Sequence, residues 1–182
     1  MRAKDSPFVI GLREIPSSGL HRSWDLSGEF ARATLADTEA QAEGAHLQAG
    51  ADLTRAALEV LARGKITGDV TMVCSRCAGE AHVVLDAPFE VLFLPRDADA
   101  PAEPDDVAAE QPDVALYDDD QIDLEETLRE ELLVALPLAP LCAETCKGLC
   151  PNCGQDLNVG SCTCPTEPQD VRLAALRNIK ID

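Results

Sequence analysis

The clustering of cysteines constrains this chain more than any other feature. Six of its eight cysteines fall between Cys142 and Cys164, and the other two form a separate C-x2-C pair, Cys74 and Cys77. Two cysteines that are two residues apart let one tight turn aim both sulfurs at a single tetrahedral ion, about 2.3 Å from each. Gly154 follows a second such pair and suits a turn that needs a positive φ. The spacing therefore predicts zinc knuckles and a metal-stapled fold.

Disulfide bonds are the rival interpretation of eight cysteines. The only apolar run near the N-terminus, residues 8–10, is soon interrupted by Arg13 and Glu14, which makes it too short for the core of a signal peptide. No later run approaches transmembrane length. Cytosolic thiols stay reduced, and clustered C-x2-C pairs are more often metal sites there. We therefore expect a cytoplasmic protein with no membrane segment and one or two Zn2+ ions, and we keep redox thiols and structural disulfides as less favoured alternatives.

All eight cysteines are candidate metal ligands, and they divide naturally into two sets of four. The preferred sets are Cys150, Cys153, Cys162 and Cys164 on one ion, and Cys74, Cys77, Cys142 and Cys146 on the other. A single site with some free cysteines, or another pairing, stays open at this stage. His82 lies near the first pair and is an alternative ligand, although a lone histidine in a strand is usually just packed or solvated.

The net charge of −18 is concentrated in one segment. Residues 97–131 hold fifteen acidic side chains against the single base Arg129, while the rest of the chain is nearly balanced. Such a field repels nucleic-acid phosphate and attracts basic partners. Within this segment, residues 96–120 are rich in Asp, Ala, Pro and Glu and predict an acidic flexible linker. The functional alternative is an acidic arm that holds a basic partner.

The hydrophobic pattern predicts an α+β fold, in which an antiparallel β-sheet is packed by one main helix and followed by a small C-terminal Cys-rich zinc-binding module. Residues 1–95 form the β-rich domain, because alternation at 65–72 and apolar runs at 82–85 and 89–94 predict strands that place the first C-x2-C at a hairpin tip. Residues 24–36 are mixed and residues 37–50 cannot be assigned. Residues 53–62 fit either a helix or a strand.

Residues 121–140 contain the clearest helix. Asp123 can cap its N-terminus, with Glu126 three residues on completing a capping box. Leu124, Leu128 and Leu132 form an apolar stripe that we expect to pack on the sheet, and Pro137 stops the helix. Residues 141–182 then form the zinc-knuckle module, with a short terminal helix predicted over 170–178.

Together these features resemble the YceD family, which is named for accumulation of large-subunit ribosomal RNA. The resemblance is carried by C-S-R-C at 74–77, the acidic gap, the helix before residue 140, C-K-G-L-C-P-N-C-G at 146–154 and D-L-N at 156–158. It implies a cytoplasmic bacterial factor needed for normal levels of large-subunit ribosomal RNA. It also favours a strand over residues 53–62, since similar chains look extended there.

The family resemblance supplies no mechanism, so the hypotheses for a mechanism are based on the charge of the chain. A chain this acidic, with no basic stripe, is a poor direct binder of bare RNA. The first hypothesis is therefore a non-enzymatic ribosome biogenesis factor whose acidic segment binds a basic large-subunit ribosomal protein or a pre-ribosomal particle, with ribosomal RNA contacted indirectly.

Two alternatives belong to other classes of protein. In the first, the near-neutral knuckle binds RNA directly through its basic side chains, Lys147, Arg172, Arg177 and Lys180. The second is a thiol-redox or metal-dependent enzyme. It is less favoured because all-cysteine sites are generally closed to substrate and the three histidines lie in no nucleophile motif.

Overall fold

The computed structural model describes residues 6–96 and 113–164. The chain divides into two compact units. The first comprises Met1–Met72 and His82–Leu138, and the second comprises Val73–Ala81 and Ala139–Asp182. Sheets and helices make up the first unit, and all eight cysteines belong to the second. Among the described residues, no helix is long and apolar enough to cross a membrane.

Seven strands and two α-helices form the described fold. The strands are β1 (Val9–Gly11), β2 (Leu20–Asp25), β3 (Ala40–Ala56), β4 (Glu59–Val73), β5 (Glu80–Pro95), β6 (Asp113–Tyr117) and β7 (Gln121–Asp123). The helices are α1 (Glu29–Leu35) and α2 (Leu124–Ala135), and a short 3-10 helix covers Leu12–Glu14. One sheet has the strand order β2-β3-β4-β5-β6, and β1 pairs with β7 in a second, two-stranded sheet. The α+β class predicted from the sequence is confirmed.

The larger sheet is mixed rather than wholly antiparallel. Strands β2, β3 and β4 pair antiparallel, whereas β6 pairs parallel with β5, with Val91 opposite Asp113. Parallel neighbours need a connection of a dozen or more residues, and the acidic segment before β6 has that length. The predicted linker over 96–120 therefore ends earlier than expected, because residues 113–117 are a strand. Residues 97–112 lie outside the described part of the chain, as does the terminal helix predicted over 170–178.

Strand β3 occupies the region that the sequence left unassigned. Its buried side chains alternate along the strand and are mostly small: Ala45, Leu47, Ala49, Ala51 and Leu53. Alanine has a low strand propensity, so the alternation carried little signal. The strand predicted by resemblance over 53–62 is confirmed, but it is two strands, since a turn at Ala57, with φ 55°, joins β3 to β4. Helix α1 lies within the mixed region 24–36 and was not predicted.

Helix α2 confirms three predicted features: the helix itself, the cap at Asp123 and the buried leucine stripe. The Asp123 side chain accepts a hydrogen bond from the backbone N–H of Glu125 at 3.0 Å. Leu124, Leu128 and Leu132 are fully buried in the core of the first unit. The helix ends at Ala135, before the proline, so it is shorter than the predicted range, and residues 121–123 form β7 instead.

Candidate metal centres

Two short turns in the second unit share one backbone hydrogen-bond pattern. In each turn, the backbone N–H of the first cysteine (position i) donates to the carbonyl of residue i+5. The backbone N–H of residue i+4 donates to the carbonyl of that first cysteine. The distances are 2.7 and 2.9 Å for the turn that starts at Cys74, and 2.8 and 2.9 Å for the turn that starts at Cys150. Residue i+4 has a positive φ in both turns, 57° at Ala78 and 74° at Gly154. The positive φ predicted for Gly154 is confirmed, and the C-x2-C spacing produces the same turn twice.

The first group brings four sulfurs together from two separate stretches of chain. Sγ of Cys74 lies 3.9 Å from Sγ of Cys146, and Sγ of Cys77 lies 3.6 Å from Sγ of Cys142. Four sulfurs held tetrahedrally about 2.3 Å from a zinc ion are about 3.8 Å apart, so the spacing matches a tetrahedral cation. It is far longer than the roughly 2.05 Å of a disulfide, and all eight cysteines are free thiols.

Neighbouring backbone groups fix the position of this first group. The backbone N–H and the hydroxyl of Ser75 both donate to the carbonyl of Pro140, at 2.9 and 3.0 Å. The guanidinium of Arg76 donates to the carbonyl of Cys146 at 2.9 Å. These bonds join the turn at residues 74–77 to the segment that carries the other two sulfurs. Ser75 and Arg76 were recognisable only as part of the C-S-R-C motif, because a backbone carbonyl as a partner leaves no trace in the sequence.

The second group consists of Cys150, Cys153, Cys162 and Cys164, whose sulfurs all lie within 4.8 Å of one another. Cys150 is buried and Cys153 is exposed. A cavity of about 270 Å³ adjoins this group, with Lys147 and Leu157 in its wall. Both groups are the sets of four that the cysteine spacing favoured. His82 belongs to neither of them, and its Nδ1 lies 3.4 Å from the hydroxyl of Thr71 instead.

The electrostatics of both groups favour a bound cation. In the first, backbone N–H groups of Cys142, Cys77 and Arg76 bond the Cys74 sulfur and lower its pKa to about 6. In contrast, bonds to the sulfurs of Cys146 and Cys77 raise the pKa of Cys142 to about 12. The backbone of the turn therefore stabilises the Cys74 thiolate. The negative charge of that thiolate then opposes ionisation of the other cysteines in the group.

The second group repeats this division. Backbone N–H groups of Cys153 and Asn152 lower the pKa of Cys150 to about 6. The pKa of Cys164 rises to about 12, chiefly because its thiol bonds the Cys153 sulfur. Only a cation would let all four sulfurs of a group ionise together. Each group could hold one metal ion, and four protein ligands would leave no open coordination position on a tetrahedral metal.

The fold and the two groups define a class of protein: an α+β unit joined to a small second unit built around two four-cysteine centres. Comparison with known families is more specific. Residues 62–180 match the family described as large ribosomal RNA subunit accumulation protein YceD, and the chain belongs to this family.

Relatives with similar sequences come from bacteria and from plants. An uncharacterised protein of Mycobacterium leprae is 31% identical over 112 residues, covering 62% of this chain and 48% of the relative. The uncharacterised protein YlbN of Bacillus subtilis is 30% identical over 115 residues, covering 63% of this chain and 62% of the relative. A chloroplastic large ribosomal RNA subunit accumulation protein YCED homolog 1 of Zea mays is 27% identical over 205 residues, covering 93% of this chain and 65% of the relative. The chain spans about half the length of the first of these relatives, and no solved structure matches it.

Proposed function

We propose that the protein is a non-enzymatic, cytoplasmic factor that supports accumulation of large-subunit ribosomal RNA by binding a basic ribosomal protein or a pre-ribosomal particle. The observation that carries the role in ribosome biogenesis is the family match over residues 62–180. The observation that supports a basic partner is the acidic surface around β6 and α2. Two structural zinc ions hold the second unit in shape.

Zinc is the metal that the donor sets favour. Both groups offer only sulfur ligands, which lie within 4.8 Å of one another, and soft thiolates select zinc, copper(I) or iron–sulfur clusters. Zinc adds no redox chemistry of its own, and a closed four-cysteine site suits structure rather than hydrolysis. Elemental analysis of the purified protein should find two zinc ions per chain. A chain purified under reducing conditions with no transition metal would contradict this part of the proposal.

The acidic surface is crowded enough to favour a cationic partner. Asp113, Asp119 and Asp120 are exposed around β6, and Glu130 is exposed on α2, while Asp118 already pairs with Arg96 at 2.9 Å. Burial, together with the charges of Asp113 and Glu130, raises the pKa of Glu131. A neighbouring cation would offset the smaller part of this shift, which comes from the two like charges, and this favours a basic partner at the surface.

Strand β6 offers a place where such a partner could add. It is the last strand of the five-stranded sheet, and within the described residues no strand pairs with its outer edge. Val114 and Leu116 are 52% and 42% exposed on one face of it. We expect an extended basic segment to pair with this edge, its apolar side chains on Val114 and Leu116 and its cations near the aspartates. A second copy of this chain fits less well because like charges would meet.

Affinity purification at low and high salt tests the partner. We expect basic large-subunit ribosomal proteins, or particles containing them, to co-purify at low salt and to be lost at high salt. The double variant Asp119→Asn and Asp120→Asn should lose them too, since asparagine tolerates the positive φ of 54° at both positions. Glu39→Gln with Glu43→Gln removes the same charge from exposed positions elsewhere in the first unit and should retain them.

Other outcomes of the same experiment would overturn the mechanism. A partner that persists at high salt and in the aspartate variant would remove the acidic surface from the mechanism. Large-subunit RNA that stays bound after its proteins are stripped would favour direct RNA binding, for which Lys147 is the candidate residue that the structure describes. Self-association through β6 would show as a dimer in solution. Loss of the protein from cells with no fall in large-subunit ribosomal RNA would refute the biological role itself.

A further inference from the structure

A short segment, residues 148–149, forms hydrogen bonds with the chain around both cysteine groups. The backbone N–H of Leu149 donates to the carbonyl of Arg76 at 3.0 Å, within the turn of the first group. On the other side, Leu157 donates to the carbonyl of Gly148 at 2.9 Å, and Leu149 pairs with Asp156 in an antiparallel bridge. The loop of the second group is therefore held directly against a ligand-bearing segment of the first.

Asn158 makes the closest connection between the groups. It lies in the loop between Cys153 and Cys162, both of the second group, yet its Nδ2 donates to the sulfur of Cys146 in the first, at 3.4 Å. Its Oδ1 accepts from the backbone N–H of Lys147 at 2.7 Å. Because a backbone N–H can only donate, this bond fixes the amide with its N–H groups toward the sulfur.

The orientation of this amide is held a second time. Nδ2 of Asn158 also donates to Oδ1 of Asp156 at 2.8 Å, and the same oxygen accepts from the backbone N–H of Asn158 at 2.8 Å. The amide is thus positioned by its own loop and aimed at one sulfur of the other group. The shape of that loop depends on the cysteines at its two ends, and so on whether they hold an ion.

We propose that Asn158 links the two metal centres, so that filling the second centre raises the metal affinity of the first. An N–H bond to a metal-bound thiolate stabilises its charge and fixes its direction, and loss of such a supporting group typically lowers metal affinity about 10- to 100-fold. The inference rests on the metal binding proposed above. Asn158 is a positioning residue here: it orients a ligand and does not touch the metal.

The two centres can be read separately, because each contains one exposed cysteine, Cys142 in the first and Cys153 in the second. Bound metal protects a thiolate from alkylation, so mass spectrometry of peptides with these residues gives the occupancy of each centre as Zn2+ is titrated against a chelator. Asn158→Ala should lower the affinity of the first centre about 10- to 100-fold. Gln155→Ala is the matched control: it removes an amide from the same loop, and that amide bonds the carbonyl of Ser161 rather than a sulfur.

A double-mutant cycle separates a link through Asn158 from general damage to the loop. Replacing Cys162 and Cys164 with serine empties the second centre and should weaken the first by a similar factor. Asn158→Ala added to that background should then have little further effect, because the amide is no longer held in place. Loading the first centre with Co2+ adds a spectroscopic readout: the sulfur-to-cobalt charge-transfer band should shift in Asn158→Ala and stay in place in Gln155→Ala.

The failures of the two proposals look different. A wild-type chain that binds no metal overturns the zinc proposal. A wild-type chain that binds two ions independently, or an Asn158→Ala variant with unchanged affinity and an unchanged cobalt band, overturns the link alone. Independent, additive losses in the double-mutant cycle would also refute it. Trp24 fluorescence checks in every variant that the first unit remains folded.

Discussion

Removal of the metal with a strong chelator should unfold the second unit and leave the first unit folded. Among the described residues, the core of the second unit is very small, with Cys74, Ala81 and Cys146 as its buried cluster, whereas the buried apolar cluster of the first unit has 29 members. Full burial of a side chain as large as Val or Leu contributes only about 1.5–3 kcal/mol. Ordering each residue costs about 1–2 kcal/mol of backbone entropy, so this cluster cannot hold the unit together. In zinc-finger peptides the binding of one structural zinc ion has an apparent free energy of about 10–16 kcal/mol, from which the cost of ordering the chain has already been subtracted.

Hydrogen exchange read by mass spectrometry measures this directly. On chelation, peptides from 73–81 and 139–164 should lose their protection, while peptides from β3 and β4 keep theirs. Trp24 is the only tryptophan and is buried in the first unit, so its fluorescence should stay unchanged. Chelator already saturated with zinc is the control, and added Zn2+ should restore protection. Continued protection of both cysteine-bearing segments without metal would show that the second unit does not need the ion. A red shift of the Trp24 fluorescence at the same chelator concentration would show that the first unit unfolds as well, and either result would refute the prediction.

Three further predictions test other parts of the structure. Leu128→Ala should destabilise the first unit by about 2.7–5 kcal/mol in urea unfolding, because the leucine is fully buried and leaves a cavity. Gly148 and Gly154 both have a φ near 73°, so replacing either with alanine should cost about 1–2 kcal/mol of backbone strain. Only at Gly148 would the new Cβ also lie 2.8 Å from a backbone carbonyl, so Gly148→Ala alone should also weaken zinc binding clearly. The pKa of Glu131 is raised, so its ionised form opposes folding and stability should fall as pH rises past its ordinary value of 4.5; Glu131→Gln should flatten this part of the pH profile.

The candidate site was more predictable from the sequence than the sheet. A C-x2-C spacing predicts a tight turn almost by itself, because two sulfurs that converge on one point leave the backbone few conformations. Cys74 and Cys150 accordingly start turns with the same hydrogen bonds. The leucine stripe of α2 was equally legible, since its period is that of a helix and a capping aspartate precedes it. In both regions the local pattern and the final structure have the same physical cause.

Other elements depended on tertiary contacts that leave a weak local pattern. Strand β3 buries mainly alanines, whose propensity opposes a strand, and its place is set by pairing with β2 and β4 on both sides. Strand β6 looked like the end of a linker because its two apolar pairs are flanked by aspartates. Asn158 could be quoted as part of a motif, but its role depends on which sulfur it meets. That contact joins positions 12 residues apart and cannot be read from spacing.

The acidic surface and the metal centres belong to different units, and this separation lets the proposed function be divided experimentally. If the acidic surface of the first unit supplies the affinity, chelation should leave partner binding at low salt largely intact while the second unit unfolds. If the second unit presents part of the docking surface, chelation and the Asp119→Asn, Asp120→Asn variant should each weaken binding, and independent contributions of this kind should add. Loss of all binding on chelation, with the aspartate variant unaffected, would move the partner site to the cysteine-bearing unit and contradict the electrostatic mechanism.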